Sequence, residues 1–207
     1  MTLSSLWQDK DPLILASTSV TRLKLLQDIF IPVDPVGPDI NERGIEEILQ
    51  AENTHPAQIA LALADAKARE VAKNNAGRWI VAADQTLALG AEQFHKPNSI
   101  EQAGAQLKKL RGQTHQLHSA FVCYRGEERR FAHVETAQLT MREFSDTFLT
   151  SYLNAAGSRV THSVGAYQIE GLGIHLFEKI EGNHSTILGL PLIPLLAFLR
   201  DAGLVEA

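Results

Sequence analysis

Residues 13–26 read LILASTSVTRLKLL, and they place an apolar run, a group of hydroxyl side chains and a helical pattern directly after one another. The apolar run 13–16 has the length and composition of a buried strand. Ser17-Thr18-Ser19 supplies helix-capping side chains, and the apolar spacing after it predicts a helix over about 20–30. Free N–H groups and partial positive charge at such a helix N-terminus suit a phosphate group, so this segment is a candidate phosphate site. The alternative is an ordinary helix cap followed by an exposed Arg22.

A second apolar strand is predicted over 79–83, ending at Asp84. Because ligands of open α/β sheets lie beyond the carboxyl ends of strands, Asp84 is placed where a metal ligand or a base would be. Glu42 follows a proline-rich strand and loop over 32–38, and with Asp84 it could hold a hard divalent cation through oxygen ligands. The alternatives are a turn aspartate and a solvated loop glutamate.

Two lysines are further candidates for contact with an anion. A helix is predicted to begin at Pro56, and Lys67 lies at the border of its apolar stripe. Its ammonium either reaches into a cleft or extends along the surface to solvent. Lys96 precedes Pro97, which stiffens the approach of this lysine; the alternative is a surface-loop lysine.

The rest of the chain continues to alternate between helical and strand patterns. We predict helices over 99–110, 145–156 and 189–202, an antiparallel pair over 114–125 and 130–142, and a strand over 174–180. This alternation predicts an α/β protein with a mixed sheet. No linker divides the chain, so a single domain over 1–207 is expected.

Charge and cysteine content exclude several classes of protein. The net charge is -5, with 19 basic and 24 acidic residues and no basic run, which argues against duplex DNA or RNA as a partner. Cys123 is the only cysteine, so no internal disulfide can form, as is typical of a reducing compartment. The N-terminal residues do not read as a signal peptide, and no apolar stretch is long enough for a membrane span. We therefore expect a cytoplasmic protein that does not bind membranes.

Eight stretches in register resemble the Maf family of nucleotide pyrophosphatases, and the resemblance covers nearly the whole chain. They are LILASTSVTRLKLL (13–26), PDINE (38–42), ALADAKA (62–68), VAADQTLAL (81–89), HKP (95–97), LRGQTHQLHSA (110–120), VGAYQIEGLG (164–173) and FEKIEGNHSTILGLPL (177–192). The resemblance implies an elongated mixed β-sheet flanked by helices, with two lobes around a cleft, related in shape to the inosine triphosphate pyrophosphatases. It also implies hydrolysis of a nucleoside triphosphate to monophosphate and pyrophosphate with a divalent cation, Mg²⁺ or Mn²⁺. A homodimer is a candidate assembly by resemblance, and a nucleotide-binding regulator of cell division remains the alternative function.

The resemblance also assigns roles to individual residues. Asp84 corresponds to the proton acceptor and, with Glu42, is expected to hold the metal. The polar positions expected to bind substrate are Ser17, Arg22, Lys67 and Lys96.

Three further positions are candidates for base specificity. Gln85 and Glu170 resemble the branch that prefers 7-methyl-GTP, because the dTTP- and UTP-preferring branch has threonine and glutamine at these places. Thr21 departs from the tryptophan typical of the 7-methyl-GTP branch, and Val20 replaces the family's usual proline. The preferred base is left open by this mixture.

Overall fold

The computed structural model describes residues 6–206, in which seven strands form one sheet. The strands are β1 (Leu13–Leu15), β2 (Val33–Pro35), β3 (Trp79–Leu89), β4 (Glu92–Phe94), β5 (Thr114–Arg125), β6 (Glu128–Met141) and β7 (Phe177–Glu181). Their order is β2-β1-β3-β5-β6-β7, with β4 paired to β3. β1 is parallel to β2 and β3, whereas the β3–β4 and β6–β7 pairs are antiparallel. The predicted α/β fold with a mixed sheet is confirmed.

Helices connect most of these strands. They are α1 (Val20–Asp28), α2 (Glu42–Ala51), α3 (Pro56–Ala72), α4 (Ile100–Leu110), α5 (Asp146–Ala156), α6 (His184–Ile187) and α7 (Leu192–Asp201), with 3₁₀ turns at Gly157–Thr161, Val164–Ala166 and Leu172–Leu176. The side chains of Ser19, Ser99 and Ser145 cap α1, α4 and α5 by accepting an N–H from the first turn, and for α1 the sequence predicted a cap within residues 17–19. Within residues 6–206, no helix is both long and apolar enough to cross a bilayer.

The chain divides into two compact units. Unit 1 contains the residues up to Gln85, then His118–Glu135, and the residues from Asn183 onward. Unit 2 contains Thr86–Leu117 and Thr136–Gly182. The single domain expected over 1–207 stays a prediction.

The strands of unit 1 carry two apolar cores, because successive side chains of a strand point to opposite faces of the sheet. One core combines Leu13, Leu15, Val81, Ala83, Phe121 and Cys123 with Leu26 of α1 and Leu195 and Leu199 of α7. The other combines Ile14, Ala16, Ile80, Ala82, Val122 and Tyr124 with Ala64, Ala68, Val71 and Ala72 of α3. Helices therefore cover both faces of the sheet in unit 1. Each fully buried leucine or isoleucine contributes about 1.5–3 kcal/mol to this packing.

Unit 2 has its own buried interior. Helix α4 packs against α5 and against the first two 3₁₀ turns. His115 of β5 is buried there, and its Nε2 lies 2.7 Å from the hydroxyl of Tyr167. Burial lowers the pKa of His115 to about 4, so this histidine is neutral in the folded protein near pH 7.

Several predicted boundaries were wrong. Strand β3 does not end at Asp84 but continues to Leu89, where it forms a hairpin with β4 through Gly90, whose φ is +59°. The hairpin was missed because residues 84–86 are polar and interrupt the apolar run. The strand predicted over 174–180 begins only at Phe177, because a 3₁₀ turn occupies the residues before it.

Two helices also differ from their predictions. Helix α2 was not predicted; it begins directly after Asn41, whose side chain accepts the N–H of Gly44. The last helix begins at Leu192 rather than 189, so Pro194 lies in its first turn. Proline is tolerated there because the first N–H groups of a helix have no partner within the helix.

Candidate active site

Asp84 lies on β3, three residues beyond the point where the described pairing of β3 with β1 ends at Val81. Its side chain points to the same face of the sheet as Ile80 and Ala82, which is the face covered by α3. Asp84 therefore lies near the carboxyl end of β1. Its own strand, β3, continues beyond it to Leu89. The residue as a whole is 9% exposed.

Lys67 joins Asp84 to Glu42. The Nζ atom of Lys67 lies 2.5 Å from Oδ1 of Asp84 and 2.8 Å from Oε2 of Glu42. Lys67 is only 5% exposed, so it does not extend to solvent as one reading of the sequence allowed. Removing an ammonium from water costs several kcal/mol, and two carboxylates offset that cost.

Glu42 reaches this position because it is the first residue of α2, capped by Asn41. Its side chain is half exposed, so one end of the cluster is open to solvent while Asp84 and Lys67 are buried. A carboxylate in the first turn of a helix is also favoured by the partial positive charge of that end.

Arg22 is the second cation of the cluster. Its side chain is buried: Nε donates to the carbonyl of Gly189 at 2.9 Å and Nη1 to Oγ of Ser17 at 3.4 Å. Burial lowers the pKa of Arg22, and the charges of Asp84 and Glu42 act in the opposite direction. An arginine nonetheless stays protonated in proteins, so a positive charge is held inside the site. The alternative of an exposed arginine is wrong.

The segment between β1 and α1 is tied together by its own hydroxyl groups. Oγ of Ser17 accepts the N–H of Ser19 at 3.1 Å, and Oγ of Ser19 accepts the N–H of Arg22 at 3.3 Å. These bonds fix the start of α1 and the direction in which Arg22 leaves it. Thr21 is half-buried on the same turn, and its effect on specificity stays a prediction.

Gln85 points to the opposite face of β3 from Asp84. Its Nε2 lies 2.8 Å from Oγ of Ser119 and 3.1 Å from the carbonyl oxygens of both Thr186 and Ile187. The amide nitrogen of Gln85 is therefore bonded to the protein itself.

Lys96 and Glu170 belong to unit 2, and both side chains are exposed. Lys96 follows β4 and precedes the buried Pro97, as expected of a stiffened loop. Their roles in substrate binding and base specificity stay predictions.

Three residues of the site in unit 1 were not singled out from the sequence: Ser119, Thr186 and Gly189. Each lies within a stretch quoted for the family resemblance, at 110–120 or 177–192, but only the contacts with Gln85 and Arg22 reveal what it does. A glycine in the left-handed region, with φ of +94° at Gly189, leaves no periodic signal in a sequence.

The two carboxylates of the site, Glu42 and Asp84, are compatible with a divalent cation that also binds a phosphate ligand. In residues 6–206 no three His, Cys, Asp or Glu residues are grouped as a complete metal site. Glu42 and Asp84 alone match the one or two carboxylates by which Mg²⁺ is usually held when substrate phosphates complete its shell. The two carboxylates also balance the charges of Lys67 and Arg22, so a polyphosphate would need an additional positive charge.

Comparison with known proteins identifies the family of this chain. The Maf-like protein family matches residues 12–202, and the chain belongs to this family. It is 50% identical over 200 residues to the nucleoside triphosphate pyrophosphatase of Bradyrhizobium diazoefficiens, covering 97% of this chain and 98% of that protein. It is 44% identical over 198 residues to the 7-methyl-GTP pyrophosphatase of Rhizobium meliloti, covering 96% of this chain and all of the relative (100%). A HAM1 protein from Coxiella burnetii matches with a TM-score of 0.40 at 16% identity, over 63% of this chain and 72% of that one.

Proposed function

We propose that this protein is an enzyme that hydrolyses nucleoside triphosphates to a monophosphate and pyrophosphate. The observation that carries the proposal is the cluster in which the buried Lys67 bridges the buried Asp84 and the half-exposed Glu42, beside the charge of Arg22. The pyrophosphatase relatives, similar over nearly their whole length, support the same activity.

In the proposed reaction, water attacks the α-phosphorus and pyrophosphate leaves. Asp84, directly or through a water molecule that it holds, accepts the proton of the attacking water. Arg22, Lys67 and Lys96 stabilise negative charge on the triphosphate and on the leaving pyrophosphate. Ser17 orients Arg22 and lies two residues before the N-cap of α1, close to the helix end whose N–H groups favour a phosphate oxygen.

We further propose that Glu42 and Asp84 hold Mg²⁺ or Mn²⁺. A divalent cation bound there would neutralise phosphate oxygens and act as a Lewis acid. Glu42 and Asp84 would supply carboxylate oxygens to this cation, and Lys67 contacts Oε2 of Glu42 and Oδ1 of Asp84 beside it.

The preferred base is proposed to be modified guanine, because a relative at 44% identity is named 7-methyl-GTP pyrophosphatase. A carboxylate such as Glu170 can accept hydrogen bonds from the N1–H and 2-amino groups of guanine. Glu170→Gln is expected to reduce the preference for 7-methyl-GTP over UTP, measured as the ratio of kcat/KM values. An unchanged order of preference across a nucleotide panel would exclude base recognition by Glu170.

The activity is tested by incubating the purified protein with Mg²⁺ or Mn²⁺ and a panel of normal and modified triphosphates, and identifying both products. Monophosphate with pyrophosphate is the expected result. Diphosphate with orthophosphate would place cleavage at another bond and contradict the proposal. Nucleotide binding without any product would favour the regulator of cell division instead.

A further inference from the structure

We infer that Asn41 is a positioning residue for Glu42, which it holds beside Lys67 by fixing the first turn of α2. The inference rests on the proposed function, since it takes Glu42 as a ligand of the proposed cation. All of the contacts that carry it lie within unit 1, which contains the residues up to Gln85.

Glu42 is the most exposed of the four charged residues in the cluster. Lys67, Arg22 and Asp84 are all buried. The side chain of Glu42 is 50% exposed and meets the cluster through Oε2, which lies 2.8 Å from Nζ of Lys67. Because burial does not fix Glu42, its position depends on where α2 begins.

Helix α2 receives little support from packing. None of its ten residues, Glu42–Ala51, is buried, and Ile48 is 63% exposed. Its packing is against α3. A helix of about ten residues is marginally stable by itself in water. Contacts at the N-terminus of α2 therefore have a large share in fixing its first turn.

Asn41 supplies such a contact. Its Oδ1 accepts the N–H of Gly44 at 3.0 Å, which makes Asn41 the N-cap of α2. Glu42 is the next residue and the first of the helix, so the cap sets the direction in which its side chain leaves the backbone. The partial positive charge of this helix end also favours the Glu42 carboxylate.

Gly44 leaves room for the capping side chain. A Cβ atom at this position would lie 2.6 Å from Nδ2 and 3.1 Å from Cγ of Asn41, so a larger residue would displace the Asn41 amide. Glycine inside a helix is destabilising relative to alanine. Gly44 therefore weakens the helix but preserves the geometry of Asn41, and the two residues act together.

A positioning role differs measurably from a purely structural one. A cap that only stabilises α2 would change the free energy of unfolding and leave ligand affinity unchanged. A cap that positions Glu42 changes affinity, and this effect disappears once Glu42 has lost its charge. A double-mutant cycle separates the two roles, because the effects of coupled residues do not add.

The experiment measures calorimetrically the affinity of the full chain for the Mn²⁺ complex of inorganic tripolyphosphate. The proteins are wild type, Asn41→Ala, Glu42→Gln and the double variant. We expect Asn41→Ala to weaken binding roughly 10-fold, the scale for residues that orient a metal ligand. Glu42→Gln should weaken binding at least as much, and the double variant no further than Glu42→Gln alone.

Two further variants test the cap itself. Asn41→Ser should keep nearly the wild-type affinity, because a serine oxygen also accepts the N–H of a first helical turn. Gly44→Ala should weaken binding in the wild-type chain but not in Asn41→Ala, where no amide occupies the space of the added Cβ.

Ser145→Ala is the matched control, because it removes a side-chain cap from α5 in unit 2. It should leave the affinity for Mn²⁺-tripolyphosphate unchanged. If Asn41→Ala does not fold, judged by thermal unfolding, Gly44→Ala takes its place in the cycle.

Urea unfolding of the same four proteins without cation or tripolyphosphate provides a second cycle, which does not depend on the proposed function. Glu42→Gln should lower the urea midpoint of the wild type, because the buried Lys67 ammonium loses a partner. It should change the midpoint of Asn41→Ala much less, since the pair is already displaced there.

Losses of affinity that multiply in the double variant would overturn the inference, as would an unchanged affinity in Asn41→Ala. If the wild type does not bind Mn²⁺-tripolyphosphate, the urea cycle decides: additive effects overturn the inference, and coupled effects support it while the proposed function fails. Binding that follows the predicted cycle, together with no release of pyrophosphate from any nucleotide, would contradict the proposed function and leave the role of Asn41 supported.

Discussion

Asp84 combines burial with direct contact to an ammonium, and both of its proposed roles, proton acceptor and cation ligand, need an ionised carboxylate. Asp84→Asn keeps the shape of the side chain but removes the base. We expect turnover to fall at least about 10²-fold, the scale of general-base loss, while the protein stays folded. Steady-state kinetics with pyrophosphate detection and a thermal unfolding curve measure the two effects.

Asp65→Asn is the control for this substitution, because Asp65 is also paired with a basic side chain of unit 1, Arg69 at 2.6 Å. It should keep wild-type turnover. Near-normal turnover in Asp84→Asn would remove Asp84 from the chemistry.

Gly189 and Gly203 allow backbone strain to be separated from crowding. Both have positive φ, +94° and +69°, but an added Cβ meets Arg22 at Gly189 and nothing within 4 Å at Gly203. Alanine at either position should lower the free energy of unfolding by about 1–2 kcal/mol through φ alone. Only Gly189→Ala should also raise KM for the nucleotide. Equal KM values in the two variants would show that Arg22 tolerates the displacement.

The identity of the polar residues in this site could be predicted from the sequence, but their partners could not. Glu42, Lys67 and Asp84 were each singled out, yet the sequence left Lys67 a choice between cleft and solvent. Lys67 is buried because Glu42 and Asp84, which lie 25 and 17 residues from it in the sequence, both contact its ammonium. At such separations along the chain, hydrophobic periodicity carries no information about contacts.

Helix α1 links secondary structure to the site, because the N–H capped by Ser19 belongs to Arg22. Ser19→Ala should lower the free energy of unfolding by about 1 kcal/mol, as is usual for a lost N-cap. It should also weaken nucleotide binding, since the turn that carries Arg22 loses its cap. Chemical denaturation and KM measurement follow the two consequences.

Ser145→Ala provides the comparison, since Ser145 caps α5 in unit 2 through the N–H of Phe148. A similar loss of stability with unchanged KM is expected. If both variants change KM equally, the cap of α1 has no special connection with the site.

Elements with a clear apolar period and a recognisable cap were predicted well, as α1, α4 and α5 show. The elements that were missed carry weaker local signals. Helix α2 has no fully buried residue, and the hairpin between β3 and β4 follows a polar interruption at residues 84–86. Tertiary pairing, not local propensity, extends β3 to Leu89.

The whole molecule should lose stability on the acid side of neutrality. Burial lowers the pKa of His115 to about 4 from an ordinary value of 6.5, and the pKa of His118 is lowered by burial and by His55. Between pH 6.5 and pH 4, the unfolded chain binds more protons at these histidines than the folded chain does. The free energy of unfolding therefore falls as the pH decreases through this range. For His115 alone, the free energy of unfolding is expected to fall by about 3 kcal/mol between a pH well above 6.5 and a pH below 4.

Urea unfolding at pH 7.5, 6 and 5 measures this slope. His115→Gln can still bond with the Tyr167 hydroxyl but cannot titrate, so the fall in stability over this range should be smaller than in the wild type. An identical slope in the variant would assign the acid sensitivity to other groups.

The position of Cys123 has a practical consequence for following the folding of this chain. Its thiol is buried in the core beneath α1 and α7, and burial raises its pKa, so the reactive thiolate is suppressed in the folded protein. The chain contains no other cysteine. Modification of wild-type protein by a thiol reagent should therefore proceed only through opening of this core, so its rate reports how often unit 1 opens under native conditions.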